Sequence, residues 1–166
     1  MTPLYWTLAF VVLQRLAELA SARRNTAWLR RLGAIEIDAG GYPLFIALHG
    51  GWLASLAVLV PAATPPSWPL LGLFALLQPA RIWVILSLGR FWTTRLLSLP
   101  GAPLVHAGPY RWIRHPNYLI VAAEIAILPL AFGAVAVAVA FSALNLVLIG
   151  RRVGLEDRAL AARRAL

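Results

Sequence analysis

The sequence predicts an all-α protein, a polytopic membrane helical bundle with about five transmembrane helices and a short C-terminal cytoplasmic helix. Three observations carry this. Of 166 residues, 61% are hydrophobic and only 13% charged, where a soluble domain carries about 25%, and the mean hydropathy is +0.77. The apolar residues gather into runs close to the length that crosses a bilayer. The arginines gather between alternate runs, as they do on the cytoplasmic side of a membrane protein.

The first run, Pro3–Ala20, lacks the positive N-terminal charge of a signal peptide and reads as a retained span. Tyr42–Val60 and Trp68–Leu88 follow, divided by the proline-rich turn Pro61–Pro66. Asn117–Phe132 and Ala134–Ile149 are short and separated by little more than Gly133, which predicts a tight helical hairpin. A long loop, 89–116, precedes the fourth span, and a tail, 150–166, follows the fifth. No soluble domain or internal repeat interrupts the chain, so residues 1–166 form one membrane domain.

Orientation follows from charge. The net charge of +9 comes from fifteen arginines and no lysine. They fill the Ser21–Gly41 loop (Arg23, Arg24, Arg30, Arg31), the long loop (Arg90, Arg95, Arg111, Arg114) and the tail (Arg151, Arg152, Arg158, Arg163, Arg164). Five spans place all three segments on one side, the cytoplasmic one, with the N-terminus outside. The expected location is a cell membrane. This distribution explains the basic charge without a nucleic-acid partner. The absence of cysteine excludes disulfides and thiolate chemistry. Three scattered histidines give no metal site.

Inside the spans, Arg15 and Glu18 share a helix face, as do Gln78 and Arg81. Buried charges at membrane depth pair with one another or line a cavity. Glu124 has no partner on its own span. It either meets Arg15 or Arg81 across the bundle or lines the substrate pocket. His49, in Leu48-His49-Gly50-Gly51, reads as a packed or interfacial histidine.

The chemistry concentrates in Gly108-Pro109-Tyr110-Arg111-Trp112-Ile113-Arg114-His115-Pro116-Asn117-Tyr118. Pro116 suits a first helical turn, so the run delivers its side chains to the N-terminus of the fourth span, whose free N–H groups favour an anion. Arg111 and Arg114 add donors for a carboxylate or phosphate. Tyr110, Trp112 and Tyr118 offer faces to a flat heterocycle or a cation. An aromatic and arginine interface belt is the alternative. In the tail, Arg152 and Glu156 lie four residues apart on one helix face, at the same predicted membrane surface.

The loop and the tail together, Leu88 to Leu160, resemble the isoprenylcysteine carboxyl methyltransferase family, which pairs a Gly-Pro-Tyr-Arg…Arg-His-Pro-x-Tyr loop with a C-terminal Arg-x-x-x-Glu-Glu element. Gly33-Ala34-Ile35-Glu36, Gly41-Tyr42-Pro43, His49 and Leu88-Gly89-Arg90-Phe91-Trp92-Thr93-Thr94-Arg95 look like its short bacterial branch, linked with O-methylation of alkylpyrones. Ile120 stands where the family often has glycine, and Asp157 replaces the second glutamate.

The resemblance implies S-adenosylmethionine bound by loop and tail without a Rossmann domain, and no Gly-x-Gly-x-x-Gly stretch is present. It implies a cofactor pocket of Tyr110, Arg111, Arg114, His115, Pro116, Tyr118, Glu156 and Asp157, with Arg152 and Glu156 as catalytic residues. Glu124, Trp92 and Arg95 are candidates for the acceptor's pocket. The expected reaction is methyl transfer to an acidic oxygen of a lipophilic molecule, a prenylcysteine-like carboxylate or an enolic pyrone, whose tail enters from the membrane lipid. Competing readings are a phospholipid N-methyltransferase, with Glu124 as proton acceptor, an NADPH-dependent sterol-type reductase, and a small transporter or assembly factor.

Overall fold

The computed structural model describes residues 2–161. Five helices form the bundle: α1 (Pro3–Arg31), α2 (Tyr42–Leu59), α3 (Trp68–Leu88), α4 (Pro116–Ala131) and α5 (Val135–Ala161). By length and composition, Tyr42–Leu59, Trp68–Phe91 and Val135–Ala161 are long and apolar enough to cross a membrane. The 16-residue α4 is apolar but shorter, and α1 carries Arg15 and Glu18 along its length. The all-α membrane bundle expected from the sequence is therefore the observed architecture.

Two helices run past the limits expected from hydropathy. Helix α1 continues beyond Ala20 to Arg31, because arginine and alanine favour helix in water as well. Arg30 and Arg31 fill its last turn, where cations suit the helix dipole. Ala22, Thr26 and Leu29 bury one face of this extension, and Gly33, at φ +91°, follows its end. The tail is helical, but it continues α5 through Arg151 and Arg152 without a break rather than forming a separate short helix. Nothing between Gly150 and Ala161 stops it. Arg163 and Arg164 lie outside the described residues.

The connections carry a feature that alternation over so few residues could not reveal. Strand β1 (Ile35–Glu36) pairs antiparallel with β2 (Leu97–Ser98), Ile35 opposite Ser98 and Glu36 opposite Leu97. The amide of Ile37 extends the ladder to the Leu96 carbonyl at 2.9 Å. Single 3₁₀ turns occupy Gly89–Phe91 and Gly108–Arg111.

The apolar core gathers at the bundle end that holds the N-terminus. Leu4, Leu8 and Val11 of α1 meet Leu48, Trp52 and Leu56 of α2, Phe74 of α3, and Val121, Ile125 and Leu128 of α4. In lipid such packing is driven by close van der Waals fit rather than by exclusion of water. The opposite end, with less apolar core, holds the polar site.

Candidate active site

Helix α4 begins where the sequence indicates, with Pro116 in its first turn and His115 before it. Two positions further on, the Tyr118 hydroxyl donates to Glu156 Oε2 at 2.7 Å and accepts from Arg152 Nε at 3.0 Å. Arg152, only 8% exposed, also donates through Nη2 to the Thr94 carbonyl at 2.9 Å. Its guanidinium lies 5.0 Å from the centre of the Phe45 ring. Four segments thus converge on one arginine: α2, the long loop, α4 and α5. Its Nη1 has no hydrogen-bond partner among the described residues.

His115 stacks on Tyr118, ring centres 5.5 Å apart and planes 23° from parallel. Its Nδ1 is 3.6 Å from Glu156 Oε2 and its Nε2 3.3 Å from Asp157 Oδ1. Burial, with the negative charge of Glu156 in second place, pushes the Tyr110 hydroxyl far above the usual phenol range. Tyr110 is consequently a neutral donor or a stacking face. Arg114 faces the same space and makes no hydrogen bond or ion pair with another described residue.

These groups line one end of a cavity of about 700 Å³, a size that suits small-molecule sites. Tyr110, Arg114, His115, Tyr118, Arg152 and Glu156 all line it, as do Trp92 and Arg95. Pro116 and Asp157 stand behind this wall, Pro116 shaping the helix start and Asp157 touching His115. Arg111 is exposed outside the cavity, with its guanidinium 5.8 Å from the Trp112 ring. Arg95 pairs with Glu36 at 2.7 Å and covers the Tyr42 ring at 4.2 Å. Partial burial pushes the Glu36 carboxyl up, but hydrogen bonds and charge from Arg95 and Arg30 outweigh it and hold the group below its usual range.

Glu124 is absent from the lining. Its side chain, 2% exposed, accepts from Arg15 at 2.6 Å and from Arg81 and Gln78 at 3.2 Å each. Arg81 also grips both oxygens of Glu18, at 2.6 and 2.7 Å, and Arg15 reaches Glu18 at 2.8 Å. The pairing across the bundle is thus with both candidate arginines at once. Two cations and two carboxylates close into a network that ties α1 to α3 and α4. Arg15, Glu18 and Arg81 also face the cavity.

Some site groups had little signature in the sequence. The Thr94 carbonyl is backbone and could be placed only by the fold. Phe45 lies on the helical stripe of Tyr42 and His49, and that spacing is the signal that could have found it. Arg151 grips both oxygens of Asp38, each at 2.8 Å, and Asp38 accepts from the Gly41 amide at 3.0 Å. This clasp fixes the start of α2 against α5, so that adjacent arginines serve opposite sides, Arg151 the clasp and Arg152 the cavity.

Comparison with known proteins identifies the family. Residues 70–162, which contain the loop, α4 and all of α5, match the model of the isoprenylcysteine carboxyl methyltransferase (ICMT) family. Over 163 residues the chain is 40% identical to the uncharacterized protein YpbQ of Bacillus subtilis (strain 168), covering 95% of this chain and 96% of that one. No solved structure matches it. With more than half of its length matched, and with the motif residues of loop and tail meeting in one cavity, the chain belongs to the isoprenylcysteine carboxyl methyltransferase family of membrane methyltransferases.

Proposed function

We propose that the protein is an S-adenosylmethionine-dependent O-methyltransferase acting on a lipophilic acidic acceptor at the cytoplasmic face of the cell membrane. The observation that carries this reading is the convergence of Tyr118, Arg152, Glu156 and His115 at one end of a cavity that continues between apolar helices. The donor set fits the methyl donor. Arg114, without a hydrogen-bond or ion-pair partner among the described residues, suits its carboxylate, Glu156 suits its ammonium or ribose hydroxyls, and Tyr110 with the His115–Tyr118 stack suits its adenine. When bound, its sulfonium supplies an electrophilic methyl group.

The protein's own part is positioning. Tyr118 holds Arg152 on one side and the Thr94 carbonyl holds it on another, leaving Nη1 for an acceptor oxygen. A carboxylate or an enolic hydroxyl is largely anionic at neutral pH, so the site needs little general-base help. Holding the reacting atoms in line can lower such a barrier by several kcal/mol. Arg152 must orient the anion without over-stabilising it before reaction. Amine methylation fits less well, because Glu124, the carboxylate suited to take the amine's proton, is committed to Arg15, Arg81 and Gln78.

Purified protein incubated with labelled S-adenosylmethionine and a panel of alkylpyrones, prenylcysteines and lipidic acids should yield methyl ethers or esters. Methylated amines would shift the assignment to N-methylation. Binding of NADPH in preference to S-adenosylmethionine would overturn it.

A further inference from the structure

A second cavity, of about 310 Å³, opens at the polar end of the bundle. One wall is the polar extension of α1, where Arg23, Thr26 and Arg30 fall on one helical stripe. Facing them are Arg95 of the long loop and Tyr42 and Ile46 of α2. The walls are fixed to each other. Asn25 donates from α1 to the Trp92 carbonyl at 2.8 Å, and the Trp28 and Phe91 rings meet edge to face, 6.0 Å between centres. Arg95 and Tyr42 line both cavities, so this stacked pair stands between them.

The charges around this space do not balance. Arg30 and Arg95 share one carboxylate, Glu36, at 2.5 and 2.7 Å. Arg23 has no ion pair or hydrogen bond with another described residue. Three guanidiniums against one carboxylate leave two positive charges unanswered. Thr26 adds a donor of a different kind. It is only 8% exposed, yet its hydroxyl bonds no other described residue. Helical hydroxyls elsewhere in the chain turn back to a carbonyl one turn earlier, as Thr7 does to Pro3 at 2.8 Å and Ser87 to Trp83 at 2.7 Å. A buried hydroxyl without a partner costs stability. In the wall of a cationic cavity it points to an acceptor that enters from outside.

Depth selects the kind of anion. Tyr42 begins α2, and Ile46, one turn further, is 50% exposed. The cavity thus spans the passage from polar surface to apolar span, the level at which lipid phosphates lie. Forked guanidiniums and a hydroxyl fit the oxygens of a phosphate.

We infer that this cavity binds a phosphate group, carried by an anionic phospholipid whose chains run along Ile46. The excess positive charge selects against a headgroup that brings its own cation. This site stands apart from the methyl-transfer reading and does not depend on it.

The test measures lipid binding to the whole purified protein by native mass spectrometry, with dioleoyl phosphatidylglycerol, dioleoyl phosphatidylcholine and dioleoylglycerol as probes. Wild type should retain phosphatidylglycerol in preference to the other two. Arg23→Gln should weaken that binding by about tenfold, the loss of one charge-assisted contact, and Thr26→Val by about threefold. Arg24→Gln removes the same charge from the adjacent exposed position, which does not line the cavity, and should change binding by less than about twofold. Glutamine preserves the helix in both arginine variants. Equal losses in Arg23→Gln and Arg24→Gln would mean diffuse surface attraction and overturn the inference. Retention of phosphatidylcholine or dioleoylglycerol as strong as that of phosphatidylglycerol would overturn it too. Inorganic phosphate is the free source of the same group. Calorimetric binding of inorganic phosphate as tight as that of phosphatidylglycerol, and lost in Arg23→Gln, would give the site to a free anion and remove the lipid from it.

Discussion

Tyr118 holds the site together with one hydroxyl, which accepts from Arg152 and donates to Glu156. Hydrogen bonds to charged groups contribute about 1.5–3 kcal/mol each. Tyr118→Phe should therefore lower kcat/KM by about ten- to a hundredfold, measured with labelled methyl donor, while the protein stays folded. Arg152→Ala should go further, with loss concentrated in kcat for the acceptor and donor binding largely kept. Full turnover by Arg152→Ala would remove its assigned role. These residues were legible because a long motif and a spaced Arg-Glu pair are chemically unusual beside a membrane span. Arg111 belongs to the same motif yet stands outside the cavity, since a run of side chains on a 3₁₀ turn cannot all face one way. Sequence names the run; the turn decides which members face in.

Among the elements, the clasp before α2 makes a sharp prediction. A Cβ at Gly41 would collide with the Asp38 carboxylate and the Arg151 guanidinium. Gly41→Ala should cost about 1–3 kcal/mol as an overpacked site, visible as a lowered Tm in detergent. Glu36, between β1 and β2, predicts a pH effect. Its carboxyl is held below the usual range in the folded protein, so the unfolded chain binds its proton more readily. That stability is present above the ordinary carboxylate pKa and is lost as pH falls from about 5 downward. Glu36→Gln should lack this component in thermal unfolding measured across that range. Neither feature could be read from the chain, because two-residue strands have no detectable alternation and Asp38 and Arg151 are far apart in sequence. The helices themselves were legible from hydropathy, but their ends were not, since helix α1 outlasts the apolar run that announces it.

For the whole molecule, the balance of forces rests on the network of Arg15, Glu18, Arg81 and Glu124. Removing one partner of a buried ion pair leaves an uncompensated charge and costs about 3–5 kcal/mol. Glu124→Gln should accordingly lower folded yield and Tm, while the folded fraction still binds S-adenosylmethionine. Loss of turnover without loss of stability would instead make Glu124 part of the chemistry. Orientation has a clean test because the chain has no cysteine. Ala62→Cys should react with an impermeant maleimide in intact cells, and Ala107→Cys only after permeabilisation. The bundle as a whole was legible because lipid demands long apolar helices, whereas contacts between distant segments wait for the fold. One such contact follows from the unbroken helix α5. Its 27 residues make a rod of roughly 40 Å, whose far part lies in lipid and whose near part carries Arg152 and Glu156. Arg152 and Glu156 ride on this rod while Tyr118 and Thr94 do not, so a tilt of α5 against the rest of the bundle strains the hydrogen bonds between them. In vesicles of graded acyl length, turnover should peak where the hydrocarbon layer matches the apolar part of α5, and fall on both sides as mismatch tilts the helix.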